Sequence, residues 1–210
     1  MALTLHLNPA PGAPGIVVLP AAGYRRARRD ITGWPGYAPT PLHDLPMLAF
    51  AAGIVVLRLK DESARFGLGG VEPLGAGFAV ADALLAELAR AGIANAATTA
   101  DLDAHRYDLS RWTLTCAADV HHGRDVAWAA QRFGAQSCIV VPETLSAADT
   151  DAVARFGAEI RRLPGADDAA VRAAAAKNWL LIAAAARPGD TEIPRLIMQG
   201  VIDRDARPAP

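Results

Sequence analysis

Lysine is almost absent from this sequence of 210 residues. Lys60 and Lys177 are its two lysines, whereas it holds nineteen arginines. Arginine supplies positive charge but is not used as an amine nucleophile, so any chemistry that needs a lysine amine has two candidates at most. This scarcity excludes most arrangements in which a lysine attacks a carbonyl group.

The chain also lacks a charge excess and a long apolar run. Its formal net charge is −1, which excludes the basic surface typical of nucleic-acid binders, and we interpret the arginine-rich run 25–29 as a solvated surface. The apolar run 179–186 is far shorter than the roughly 18 residues that a membrane span needs. The start of the sequence shows no basic segment followed by a long apolar one. We therefore expect no membrane association, no signal peptide and a cytoplasmic location.

Cysteine is nearly as scarce as lysine. Cys116 and Cys138 show no spacing typical of a metal or redox motif, so we expect two reduced thiols in a reducing compartment. Apolar residues make up 52% of the chain, enough for one core or for two small lobes that share one.

Three regions follow from the distribution of proline and glycine. Residues 1–53 are rich in both, which predicts short extended pieces such as 16–19 and no long helix. Residues 54–202 form the predicted α/β domain, and 203–210 are a polar tail. Within the domain we predict a strand at 54–59, a helix at 73–91 and a loop at 95–111.

From residue 112 onward the sequence alternates between strand and helix patterns. Strands are predicted at 112–116, 137–141, 158–162 and 179–185, and helices at 123–133, 146–156, 167–177 and 193–202. Strands that alternate with helices of about ten residues predict parallel βαβ units with right-handed crossovers. The fold class expected is α/β with a parallel sheet.

The segment from Thr115 to Gly134 combines a strand, a polar turn and an amphipathic helix. Asp119, His121 and His122 fall in the predicted turn, where the helix N-terminus favours an anion. An ordinary strand-to-helix connection explains the same pattern. We predict no metal site, because adjacent histidines on an extended chain point apart and no second ligand pair has zinc-like spacing.

Three motifs carry a resemblance to a known family. Residues 119–131 read Asp-Val-His-His-Gly-Arg-Asp-Val-Ala-Trp-Ala-Ala-Gln, similar to the family's Asp-Gly-Asn-His-Gly-Arg-Gly-Val-Ala-Trp-Ala-Ala. Residues 59–68 contain Lys-Asp-Glu-Ser-Ala-Arg-Phe-Gly-Leu, and 192–200 read Glu-Ile-Pro-Arg-Leu-Ile-Met-Gln-Gly, which resemble two further family motifs. The family is diaminopropionate ammonia-lyase, a pyridoxal-phosphate enzyme of fold type II. The resemblance implies its smaller lobe plus part of its larger lobe.

The same resemblance implies that key cofactor contacts have changed. The family's Schiff-base lysine falls on Glu72, and its Gly-Asn pair falls on Val120 and His121. A carboxylate cannot form an imine and repels a phosphate-bearing cofactor. We therefore expect pyridoxal phosphate not to be bound covalently. Asp119 matches the family's catalytic aspartate, but we favour the alternative that it caps the helix or turn.

The residues leave three functional hypotheses open. The first is a truncated, catalytically degenerate relative that acts as an interaction or regulatory module, through a homo-oligomer or a paralogue bound at an exposed apolar face. The second is a retained lyase that eliminates ammonia from 2,3-diaminopropionate to give pyruvate, with a partner chain supplying the missing half. The third is a decayed gene product without a selected activity.

Overall fold

A parallel four-stranded sheet lies at the centre of the molecule. The computed structural model describes residues 21–95, 98–117, 120–183 and 192–205. Its strands are β1 (Leu42–Asp44), β2 (Arg58–Lys60), β3 (Thr113–Ala117), β4 (Gln136–Val141), β5 (Glu159–Arg162) and β6 (Leu180–Leu181). The central sheet has the order β5-β4-β3-β6 with every pair parallel, which confirms the predicted α/β class.

Helices cover the sheet and the segments that precede it. They are α1 (Ala21–Thr32), α2 (Pro46–Ala51), α3 (Glu72–Arg90), α4 (Thr99–Ala104), α5 (Arg106–Leu109), α6 (Val120–Phe133), α7 (Ala147–Ala154), α8 (Ala166–Lys177) and α9 (Glu192–Asp205). The predicted helices from α6 to α9 are confirmed with small shifts of their ends. Within the described residues, no helix is long and apolar enough to span a membrane.

The register of the sheet places buried side chains on the central strands. Thr115 of β3 pairs with Cys138 of β4, and Ile139 pairs with Ile160 of β5. Both cysteines are buried and keep their thiols. The run from Cys138 to Val141 is buried throughout, as expected for a strand that helices cover on both faces.

Helix α3 forms much of the core together with α6. Pro73 lies in its first turn, where proline is favoured because its fixed φ suits a helix and its missing N–H is not needed. The side chains of α3 at spacings of three and four are almost wholly buried, and they pack with a similar stripe of α6 in one core cluster. The cluster includes Leu74, Ala81, Leu84 and Leu88 of α3, and Val126, Ala129, Ala130 and Phe133 of α6. This packing fixes the start of α3 beside the start of α6.

Two predictions for the N-terminal half were wrong. Helix α1 occupies twelve residues of the region where no long helix was expected. The reason is local, since prolines stop at Pro20 and resume at Pro35, and the sequence between them is free to form a helix. The strand predicted at 54–59 is displaced, because β2 begins at Arg58 and Val55 is almost fully exposed. The piece predicted at 16–19 lies outside the described residues.

The predicted loop at 95–111 contains two short helices instead. Helix α4 starts with a capping box, in which the Asp101 carboxylate accepts the Thr98 backbone N–H at 2.8 Å. This pairing gives an acceptor to one of the N–H donors that a helix start leaves unsatisfied. The local signal was therefore present in the sequence, but the polar composition of the segment concealed it.

Candidate functional site

The first turns of α3 and α6 form the candidate site. Glu72 is the first residue of α3 and is exposed. Helix α6 begins at Val120, so Val120 and His121 lie in its first turn rather than in the predicted connecting turn. The predicted catalytic residue Asp119 lies outside the described residues.

The two predicted histidines have different environments. His121 is exposed at the start of α6. His122 is buried, and its Nε2 lies 3.2 Å from the Ile182 carbonyl oxygen, a distance at which a protonated Nε2 donates a hydrogen bond. His122 therefore ties α6 to the segment that follows β6. This contact supports the structural interpretation of that histidine.

Asp125 is a buried carboxylate that the sequence interpretation missed. Its side chain is fully buried on α6, and its Oδ1 accepts a hydrogen bond from Arg124 Nε at 3.0 Å and forms an ion pair with Arg124 Nη2 at 2.9 Å. Its Oδ2 is buried and has no hydrogen-bond partner in the described part of the chain. Two signals were available: the related family segment has glycine here, and position 125 falls on the buried helical stripe four residues before Ala129.

The surroundings of Asp125 disfavour the ionised form of its carboxyl group. The pKa of Asp125 is raised to about 6, chiefly by burial and to a smaller extent by the Glu72 carboxylate, while Arg124 and His121 act to lower it. These effects show that Glu72 and Asp125 influence one another across the two helix starts. The site therefore contains two acidic groups near the position where the resemblance implies a phosphate-bearing cofactor.

The backbone before α3 is adapted to Glu72. Gly70 adopts a φ of +79°, in the left-handed region that glycine tolerates. The Glu72 side chain folds back over this glycine, so that a Cβ at Gly70 would collide with its carboxylate. The space beside the start of α3 is thus occupied by the Glu72 side chain itself.

Neither lysine is placed as a substitute for the family lysine. Lys60 Nζ donates to the Thr40 carbonyl oxygen at 2.7 Å and lies 3.5 Å from the Glu62 carboxylate. Lys177 ends α8, with its Nζ 4.8 Å from the Trp179 ring centroid. The described residues at the starts of α3 and α6 contain no lysine. Those residues therefore supply no amine that could form an imine with pyridoxal phosphate.

Comparison with known proteins agrees with the three motifs. A family model described as pyridoxal-phosphate dependent enzyme matches residues 33–198. The chain is 36% identical over 174 residues to diaminopropionate ammonia-lyase of Salmonella typhimurium, and 36% identical over 170 residues to that of Escherichia coli K12. Each match covers 79% of this chain and 42% of the relative, so the chain spans less than half the length of these relatives.

Solved structures give the same result for the fold. The apo structure of Escherichia coli diaminopropionate ammonia lyase superimposes with a TM-score of 0.71 at 29% identity, covering 90% of this chain and 55% of that one. Maize serine racemase superimposes with a TM-score of 0.65 at 18% identity, covering 88% of this chain and 50% of that one, a likeness of fold alone. The resemblance to diaminopropionate ammonia-lyase that was inferred from the three motifs is confirmed.

Proposed function

Because this chain belongs to the family of pyridoxal-phosphate dependent enzymes, we propose that it is a catalytically degenerate relative of diaminopropionate ammonia-lyase that acts as an interaction module. The observation that carries the proposal is Glu72 at the start of α3, where the resemblance implies the Schiff-base lysine. A carboxylate supplies no amine for an imine. The matched region 33–198 includes this position, so the difference lies inside the shared fold.

The electrostatics of the site support the loss of cofactor chemistry. Helix starts favour anions because their N–H groups are unpaired. Here Glu72 places a carboxylate at the start of α3, and the buried Asp125 adds a second carboxylate one turn into α6. Arg124 compensates one of them through its ion pair with Asp125, and this pairing occupies the guanidinium. Little favourable potential remains for a cofactor phosphate.

An exposed apolar surface supports the role in interaction. The segment from α2 to β2 exposes several large apolar side chains, which we name the hairpin patch: Met47, Leu48, Phe50, Ile54, Val55, Val56 and Leu59. The side chains of Val55 and Phe50 are 98% and 85% exposed. Large exposed apolar side chains that are gathered in one segment indicate an interface in soluble proteins. Self-association or binding of a paralogue is the expected use.

One observation favours a second candidate function. The chain spans 42% of the length of its curated relatives, which is consistent with a lyase completed by a partner chain. The partner would need to bring a lysine to the site, because position 72 already lies within the portion that this chain supplies. The degenerate interpretation requires no such donor, and we prefer it for that reason.

Reductive trapping tests the cofactor chemistry. The purified chain is incubated with pyridoxal phosphate and reduced with borohydride, and its peptides are analysed by mass spectrometry. We expect no stoichiometric pyridoxyl group on Lys60 or Lys177, since each has the partners described above. A single fully modified lysine with an aldimine absorption band would contradict the proposal. Free lysine under the same conditions is the positive control for reduction.

An activity assay separates the two candidates. Pyruvate release from 2,3-diaminopropionate is measured with the chain alone and with an added polypeptide that corresponds to the remaining portion of a curated relative. The proposal predicts no release in either case. Cofactor-dependent release that appears only in the mixture would establish the second candidate instead.

A further inference from the structure

A cavity lies between α1, β2 and α9, and it meets the first turn of α3 at Leu74. Its volume is about 580 Å³, within the range typical of sites for small molecules. Its polar lining includes side chains from distant parts of the chain: Tyr24, Arg28, Thr40, Lys60, Glu62 and Arg65. Leu74 and Leu196 contribute apolar surface to the same cavity. A cavity with a few polar groups and an apolar wall suits a small amphipathic molecule.

Most of the charged groups in the lining are already paired. The buried Glu62 carboxylate accepts a hydrogen bond from Arg65 Nε at 2.7 Å, and Arg65 Nη1 also donates to the Ala38 carbonyl oxygen at 2.7 Å. Lys60 Nζ is held by Thr40 and lies 3.5 Å from Glu62. Three cations and one carboxylate line the cavity, so its potential is positive.

Two donors on α1 have no partner among the residues that the structure describes. Tyr24 is 93% buried and lines the cavity, yet its hydroxyl has no hydrogen-bond partner among the described residues. The Arg195 guanidinium lies 4.5 Å from the centroid of its ring and holds that ring in place. Within the described part of the chain, the Arg28 guanidinium also makes no ion pair or hydrogen bond. Tyr24 and Arg28 are four residues apart on α1 and therefore share a face.

We propose that this cavity is a binding site for a small aliphatic carboxylate. The carboxylate group is held by the Tyr24 hydroxyl and the Arg28 guanidinium, with Lys60 contributing positive charge, and the aliphatic body lies against Leu74 and Leu196. A buried hydroxyl without a partner is unfavourable, and an anionic acceptor relieves that cost. The planar guanidinium matches a carboxylate in two parallel hydrogen bonds.

The lining also distinguishes a carboxylate from a phosphate. Glu62 remains in the wall, and its negative charge repels a dianion more strongly than a monoanion. The apolar wall gives an aliphatic chain a surface that inorganic phosphate cannot use. This inference does not depend on whether the chain retains catalysis, because the cavity contains neither Glu72 nor Asp125.

The test uses butanoate as the probe, with n-butylamine as the probe of similar shape and opposite charge. A titration of the full chain is followed by amide NMR at Thr40 and Gln199, both of which line the cavity. We expect saturable shifts at these amides with butanoate below about 10 mM and none with n-butylamine. The absence of saturable shifts, or equal shifts with both probes, would overturn the proposal, as would inorganic phosphate binding as tightly as butanoate.

Three variants assign the contacts. Tyr24→Phe is expected to weaken butanoate binding by roughly fivefold and Arg28→Gln by roughly tenfold or more, because each removes a donor to an anionic acceptor. Arg25→Gln is the matched control on the same helix, since Arg25 is exposed and does not line the cavity, and it should leave affinity unchanged. The thermal midpoint of Tyr24→Phe without ligand should be equal to or above that of the parent. Unchanged affinity in both cavity variants would overturn the assignment.

Discussion

Gly77 of α3 lies directly against the indole ring of Trp34. A Cβ at position 77 would be 2.9 Å from Trp34 Cζ3 and 3.1 Å from Trp128 Cζ3. Trp34 in turn meets the Phe133 ring edge-on, with 5.9 Å between the ring centroids. Because two aromatic rings approach from one side, neither can move away without disturbing the other. Glycine is therefore required here by packing, not by a special backbone angle.

Gly77→Ala should destabilise the chain through overpacking. We expect the free energy of unfolding to fall by about 1–3 kcal/mol, as is typical when a methyl group is forced into a filled core. Chemical denaturation followed by tryptophan fluorescence measures the change. Gly75→Ala is the matched control on the same helix, because a Cβ there meets nothing within 4 Å. The control should raise stability by up to about 1 kcal/mol, since alanine favours a helix over glycine. Equal effects in both variants would contradict the packing argument.

Asp125→Asn should stabilise the chain at neutral pH. Burial raises the folded-state pKa of Asp125 from 3.8 to about 6, so the stability that its protonated form provides is complete below pH 3.8 and is lost as the pH rises through about 6. Asparagine carries no charge and avoids this loss. The variant should exceed the parent by on the order of 2–3 kcal/mol near pH 7.5, with the difference vanishing toward pH 4. Denaturation curves across this pH range provide the measurement.

Asp103→Asn is the control of opposite sign. A hydrogen bond from Arg132 lowers the pKa of Asp103, so its contribution to stability is present above the unfolded pKa of 3.8 and disappears as the pH falls through the folded value. This variant should be less stable than the parent at neutral pH and equal to it in acid. If Asp125→Asn were also less stable than the parent at neutral pH, the argument that burial destabilises the Asp125 carboxylate would be refuted.

The hairpin patch should drive self-association. We expect the combined variant Phe50→Ser and Val55→Asp to shift the chain toward the monomer in sedimentation velocity experiments, because it removes two of the most exposed apolar side chains. Val171→Asp on α8 is the control, since Val171 is also an exposed apolar residue but lies outside the patch. A parent chain that is monomeric at every concentration would contradict the prediction.

Restoring the residues that the resemblance implies should not restore catalysis. Glu72→Lys combined with Val120→Gly and His121→Asn supplies an amine and the ring contact, but leaves the buried Asp125 carboxylate in place. Positioning of bound reactants accounts for roughly 7–11 kcal/mol of a barrier in favourable cases, and three substitutions do not provide it. We expect pyruvate release from 2,3-diaminopropionate no faster than with free pyridoxal phosphate. A fourth change, Asp125→Gly, tests whether that carboxylate alone prevents turnover. Cofactor-dependent pyruvate release by the triple or the quadruple variant would count against the degenerate interpretation.

The sequence by itself determined the parallel sheet and the family. Alternating strand and helix patterns after residue 112 predicted every strand of the central sheet, since hydrophobic periodicity is a local property that neighbouring residues report. The three motifs, including 119–131, were enough to recognise the family because each retains an ordered set of residue types. The assignment of Glu72 to the family's lysine position rests on the same motifs and stays a prediction.

Only the tertiary structure decided which polar groups are buried together. Thr40 and Lys60 are twenty residues apart in sequence, and the cavity that they share is closed by α9, far along the chain. The burial of Asp125 depends likewise on packing between α6 and α3. A residue's exposure and pKa are set by neighbours from distant segments, and local patterns carry little information about those neighbours.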